Sequence, residues 1–399
     1  MTPPGPAEPG PQSRSELVPL ATIAREWGRI GCIGFGGPPA HIALLRRLCV
    51  DERAWLTDQE FEDGVATVNL LPGPASTQLA ILCAWRLRGP LGAMVGGLSF
   101  ILPGLAVILG LAALFLAGHP PLWVTGAAAG AGAAVPAVAV QAATGLARPS
   151  WRRAGTAASA RGRWTVYLGA GAAAAATIGP WLVLVLAAVG LTEVLIRTTR
   201  PGPAGRAQVL APILALPSVA LGGLGGLAWV AVKVGLFSYG GGFVIVPLMQ
   251  HDAVDTYHWM TGAQFLTAVA LGQVTPGPVV QTVAVVGYAA AGIGGGLLAA
   301  TIAFAPSFLF VLVGGRHFDR LRHDLRVQAF LTGAGAAAIG AIGGSSIPLG
   351  LALAHLWQIG VLALAAAWLL AARRGVLTGL VGAGALGAIA ALAGAPISH

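Results

Sequence analysis

The chain has 399 residues, 56% of them hydrophobic and only 9% charged, with 23 Lys and Arg against 14 Asp and Glu for a formal charge of +9. Water-soluble domains carry about 25% charged residues, which excludes a soluble enzyme; the arginines sit in short connections between apolar runs rather than on a solvated basic face, which excludes nucleic acid as the partner. Apolar runs long enough for roughly 30 Å of hydrocarbon recur from about residue 90 onward, predicting an all-α polytopic membrane protein and not a barrel of alternating strands.

In chain order, residues 1–18 are Pro-rich and polar and are expected to form a disordered cytoplasmic tail without a signal peptide. Consecutive glycines in GCIGFGGPPAH at 31–41, Gly36 and Gly37 among them, predict a broken helix. DERAWLTDQEFED at 51–63 has the pattern of an amphipathic helix at the cytoplasmic interface, with Trp55 as its anchor. Stretch 64–88 is interrupted by Pro72-Gly73-Pro74, and crossings follow near 91–117, 122–147, 164–180 and 181–197. A linker at 201–227 contains one more crossing, 208–227. The series then returns: a glycine break at 235–247 with Gly240 and Gly241, the segment 255–265, a stretch 264–289 interrupted by Pro276-Gly277-Pro278, and crossings near 292–314, 327–346, 355–372 and 375–395.

That return is a repeat. Sliding the chain by 204 residues aligns 29–80 with 233–284 without a gap, with 15 identities in 52 positions, including both Pro-Gly-Pro motifs. With a one-residue slip, GAGAAV at 130–135 meets GAGAAA at 333–338. The expected organisation is an N-terminal repeat at 19–200, the linker at 201–227 and a C-terminal repeat at 228–399. Positive short loops stay in the cytoplasm. In the first copy 46–63, 86–90 and 148–163 are basic and 118–121 is not; in the second copy 251–263, 290–292 and 347–354 lack Lys and Arg while 315–326 has four Arg. The signs reverse, so the copies are expected to be inverted about an axis in the membrane plane. Each Pro-Gly-Pro stretch has ends of like sign, as a re-entrant hairpin of two half-helices would, its tip surrounded by protein or a water-filled cavity.

A half-helix starting after Pro-Gly-Pro offers unpaired amides and the positive end of its dipole to an anion. Ser76 and Thr77 at one tip, Gln281 and Thr282 at the other, and Asn69 and Gln273 before the breaks add polar side chains suited to a tetrahedral oxyanion. The plainer alternative is a bent helix whose Ser and Thr bond back to the previous turn. Arg29 and Lys233 are repeat-equivalent, Lys233 being the only lysine; intramembrane cations are candidates to balance a dianion, with snorkelling to the interface as the alternative. His41 is a candidate proton sensor. Asp51 and Asp255 are candidates for proton coupling, with helix capping or bracing of the hairpin favoured. Cys32, Cys49 and Cys83 lack CxxC spacing, and no metal, cofactor or catalytic pair is expected.

FGGPPAHIALLRR at 35–47, WLTDQEF at 55–61 and NLLPGPASTQLA at 69–80, with weaker echoes at 237–249 and 274–282, resemble the long two-domain members of the chromate ion transporter superfamily. The resemblance implies an inner-membrane secondary transporter of bacteria that exports chromate, confers chromate resistance and treats sulfate as a close analogue. By the same resemblance Gly36, Gly37, Pro38, His41, Pro72, Gly73, Pro74, Ser76 and Thr77 are signature positions. A sulfate or other oxyanion importer and a passive anion channel are the alternatives, and the proton and a second copy of the chain are candidate partners.

Overall fold

The computed structural model describes residues 17–69, 71–116, 120–177, 182–198, 222–238, 244–314 and 324–397. All regular structure in these stretches is helical, the form in which a chain satisfies its own backbone without water. The first half runs α1 (Leu20–Ile33), α2 (Pro38–Arg46), α3 (Asp58–Val68), α4 (Ala75–Phe115), α5 (Leu122–Ala154), α6 (Ala158–Thr177) and α7 (Leu182–Thr198). The second half runs α8 (Gly223–Phe237), α9 (Ile245–Gln250), α10 (Gly262–Val274), α11 (Thr282–Gly314), α12 (Leu325–Gly344), α13 (Ser346–Leu351), α14 (Leu356–Ala366) and α15 (Val376–Leu392). Among the described residues four spans, 75–115, 122–154, 279–314 and 325–351, are long and apolar enough to cross a membrane, and the protein is a multi-pass membrane protein.

The repeat holds element by element. α2 and α9 each run into a π-helical turn, at Arg47–Glu52 and His251–Thr256. Thr57 and Thr261 cap α3 and α10, each in a reciprocal box with the residue three positions on, Glu60 and Gln264. α4 and α11 are each two helices reversed at a sharp corner, Arg88–Gly89 and Ala291–Gly292, with Gly89 at φ +60° and Gly292 at φ +62°. Beyond each corner the chain folds back on itself: a Cβ on Gly96 would meet Ala84, and one on Gly295 would meet the Gly287 carbonyl.

Two expectations are corrected. Segment 51–63 is not one amphipathic helix: it is the end of a π turn, an irregular passage through Ala54 at φ +48°, and the start of α3. The caps are Thr57 and Thr261, not Asp51 and Asp255, because a hydroxyl at the N-cap reaches the third amide of the helix that follows, whereas the two aspartates sit inside the preceding turns. The tail up to residue 16, most of the 201–227 linker, Gly240, Gly241 and the basic loop 315–323 lie outside the described residues.

The halves are interlocked. α5 of the first half packs on α14 and α15 of the second, α12 of the second packs on α6 and α7 of the first, and α4 packs on α11 at the centre. Small residues set these approaches. At the α6–α12 crossing a Cβ on Gly340 would run into the Leu168 carbonyl and one on Gly171 into the Ala337 carbonyl. Gly340→Leu should therefore destabilise the fold by roughly 1–3 kcal/mol, read as a lower thermal midpoint in detergent. Gly382→Ala, where an added Cβ meets nothing, should leave that midpoint unchanged.

Candidate functional site

α3 ends at Asn69 and the chain turns through Pro72-Gly73-Pro74, with Gly73 at φ +111°, before α4 begins. α10 ends at Val274 and turns through Pro276-Gly277-Pro278, with Gly277 at φ +101°, into a 3-10 turn and α11. Prolines end helices because they lack the amide and crowd the preceding residue, and the positive φ between them requires glycine. Arg86 donates to the Glu60 carbonyl and Gly64 packs on Leu79 and Leu82, so α3 and the first arm of α4 lie side by side with their outer ends together and the Pro-Gly-Pro turn at the far tip.

Each tip lodges in the other half. A Cβ on Gly73 would lie 3.1 Å from the Gly235 carbonyl of α8 and 3.5 Å from Ser307 Oγ of α11. The Gly277 amide donates to the Gly34 carbonyl in the first half's break (3.0 Å), and Gln281 Nε2 donates to the Ile101 carbonyl on α4 (2.8 Å). His41 is fully buried and its Nε2 lies 2.9 Å from that same Gly34 carbonyl; a carbonyl only accepts, so Nε2 carries the proton and Nδ1 is left as an acceptor.

Around the tips several buried side-chain atoms have no partner among the described residues: Thr77 Oγ1, Gln78 Oε1, Ser307 Oγ, Gln273 Nε2, Gln281 Oε1 and His41 Nδ1. An unmade bond of this kind costs about 1–3 kcal/mol, so each of these atoms marks a place where a polar partner belongs. Backbone donors join them. The first intrahelical bond of α4 is from the Gln78 amide to the Pro74 carbonyl, so the amides of Ala75, Ser76 and Thr77 have no carbonyl in their own helix.

A cavity of about 530 Å³ reaches the first tip, lined there by Asn69, Leu71 and Gly73 and at its other end by Ser150, Arg153, Arg197 and Gln328. A smaller cavity of about 170 Å³ lies between α5 and α10. The two are counterparts in the repeat: Gln328, Leu331, Thr332 and Gly335 of the larger are 203 positions after Thr125, Ala128, Ala129 and Gly132 of the smaller. They differ in depth. The smaller stops at the first turns of α10, Ala263 to Thr267, and contains no residue of the second Pro-Gly-Pro turn.

Of the residues singled out in the sequence, the structure brings Pro72, Gly73, Pro74, Ser76, Thr77, Pro276, Gly277, Pro278, Gln281, Gln273 and His41 to these tips. Gly36 and Gly37, at φ +99° and +73°, form the break before α2. Thr282 is buried, but its hydroxyl donates to the Val279 carbonyl (2.8 Å), the back-bonding alternative. Arg29 is half exposed in an ion cluster with Glu26 (3.2 Å) and Glu52 (3.7 Å). Lys233 is paired with Asp252 and lies over the Trp229 ring. Asp51 is exposed, and Asp255 faces His251 (3.2 Å). The cations that line the large cavity are instead Arg153 and Arg197. Sequence reasoning read Arg153, in the basic connection 148–163, only as a topology signal, gave Arg197 at the end of a crossing no role, and missed Ser307, which carries no motif.

Residues 21–192 and 225–394 each match the protein family described as Chromate transporter. The chain is 32% identical over 357 residues to the chromate transport protein of Cupriavidus metallidurans, covering 87% of this chain and 86% of that protein. It is 32% identical over 336 residues to the chromate transport protein of Pseudomonas aeruginosa, covering 80% and 79%. To the probable chromate transport protein of Synechococcus elongatus it is 29% identical over 359 residues, covering 88% and 90%. No solved structure matches the chain. Both halves being matched, this chain belongs to the chromate transporter family.

Proposed function

We propose that the protein is a secondary active transporter that exports chromate, or a tetrahedral oxyanion like it, across the bacterial inner membrane, and that the anion is held at the Pro-Gly-Pro tips. The observation that carries this reading is that buried polar atoms without partners recur at both tips, Thr77 Oγ1, Ser307 Oγ and Gln273 Nε2 among them as donors. A tetrahedral anion accepts several hydrogen bonds at each oxygen, and the free amides at the start of α4 add the positive end of a helix dipole. The names of the relatives support chromate as the cargo. Sulfate has the same shape and charge and satisfies the same donors.

The two Pro-Gly-Pro units are re-entrant hairpins in this reading, and the halves sit inverted in the membrane. The adjacent outer ends of α3 and the first arm of α4 support the first point. The cavities support the second: the large one opens among arginines, the sign of the cytoplasmic side, and the small one opens at neutral loops around Pro120 and Ala352. The described conformation then faces the cytoplasm, and its outward-facing counterpart arises when the halves exchange roles and the small cavity deepens to Gly277. Export is the downhill direction for such cargo. An inside-negative potential is worth about 2.3 kcal/mol per charge per 100 mV, so a dianion gains about twice that on leaving.

Three outcomes test this. In vesicles of defined orientation, Thr77→Val and Ser307→Ala should each lower chromate flux about tenfold, the effect of roughly 1.4 kcal/mol, while Trp55→Phe stays near the unsubstituted rate; equal rates in all three would remove the site. Cysteines at positions 59 and 90, in a chain stripped of its native cysteines, should react with an impermeant maleimide from the same face, and reaction from opposite faces would turn the hairpin into ordinary crossings. Collapsing the proton and electrical gradients should stop net export, whereas a persisting conductance would identify a channel.

A further inference from the structure

The wall of the large cavity continues into a group of charges between α6 and α7. Glu193 on α7 is 2% exposed. Its carboxylate accepts from Arg163 Nε (2.8 Å) and a terminal Arg163 nitrogen (3.2 Å), from Arg197 Nε (2.7 Å) and from the Tyr167 hydroxyl (3.1 Å). Arg197 meets it through Nε alone, so the terminal nitrogens of that guanidinium have no partner among the described residues. Arg197 also lines the cavity that ends at Asn69 and Gly73, and Arg153 lines it too without an ionic partner among the described residues. Among the described residues that line these walls, three arginines, Arg153, Arg163 and Arg197, stand against one glutamate, Glu193, a net charge of +2.

Resting on the oxyanion-transport reading above, we propose that this end of the cavity is a second, outer anion site, in which Arg153 and the free edge of Arg197 receive a tetrahedral dianion before it moves to the tips, and Glu193 is the resident counter-ion that competes with it for Arg197. Two positive charges in excess of the one carboxylate complement a dianion, and the terminal nitrogens of Arg153 and Arg197 match the oxygens of a tetrahedral oxyanion. A site on a throughput path must also let go. The carboxylate behind Arg197 does this: it keeps the guanidinium oriented while the anion is absent and takes back part of its charge when the anion leaves, so that the outer site stays weak. Arg163 and Tyr167 hold Glu193 from α6, which keeps the counter-ion in place while Arg197 turns to the anion.

The sign of one substitution separates this from a structural brace. Binding of chromate and of sulfate to the purified full-length protein is measured by equilibrium dialysis. Arg153→Ala, which breaks no internal pair, and Arg197→Ala should each weaken binding about tenfold, as loss of a charge-assisted bond does. Glu193→Gln should tighten binding severalfold, and added sodium chloride should weaken binding to the unsubstituted protein more than to Arg153→Ala. Unchanged affinity in Arg153→Ala and Arg197→Ala, with affinity lost in Thr77→Val, would overturn the outer site and leave the transport reading standing. Weaker binding in Glu193→Gln would make Glu193 a brace and overturn its role as competitor. If the unsubstituted protein binds neither anion, the transport reading itself falls, and the outer site with it.

Discussion

A Pro-Gly-Pro turn leaves backbone groups without helical partners, and in a membrane protein those groups must find partners in the protein itself. Here one partner comes from the same half, Gln78 Nε2 donating to the Pro72 carbonyl (2.6 Å), and others come from the opposite half. The Gly277 amide takes its acceptor from Gly34 in the first half's helix break, and Gly73 sits against Gly235 and Ser307 of the second. The same exchange recurs at larger scale, where α5 packs on α14 and α15 and α12 on α6 and α7. Two copies of one sequence thus make a single interlocked body, and the place where they interlock is also where unpaired polar atoms collect.

That coincidence gives the transport reading its physical content. Buried donors are costly when empty and useful only when something polar fills them. A dianion is costly to bury unless cations and oriented dipoles receive it. The large cavity supplies both in sequence, arginines at one end and helix-start amides at the other. Its repeat-related partner is shallow and has no such arginines. The halves are homologous and their cavities unequal; in the proposed transport cycle the second state is the one in which that inequality is reversed.

Much of this architecture was legible in the chain because it is local. Paired Pro-Gly-Pro turns, the glycine break at Gly36 and Gly37 and the repeat of the halves each depend on a few neighbouring residues. The charge balance was not legible. Arg29 and Lys233 look alike as lone cations on apolar helices, yet both are neutralised by acids, Glu26 and Glu52 in one case and Asp252 in the other; Asp252 stands where the first copy has Leu48, so the repeat gave no warning of it. Conversely, Arg197 looks like a helix-end cation and Ser307 like any serine on a crossing helix. Their roles depend on packing between halves, which no spacing within one half encodes. The same limit explains the misplaced caps: Asp51 and Thr57 both precede acidic helical sequence, and only the π turn that carries Asp51 away from the helix start decides between them.

The direct test of the account is a structure of the protein with chromate, located by the anomalous scattering of chromium. The account predicts a chromium peak at the tips, with the anion's oxygens within hydrogen-bond distance of Thr77 Oγ1 and Ser307 Oγ. Chromium bound only away from both Pro-Gly-Pro turns, with those hydroxyls still unpartnered, would contradict it.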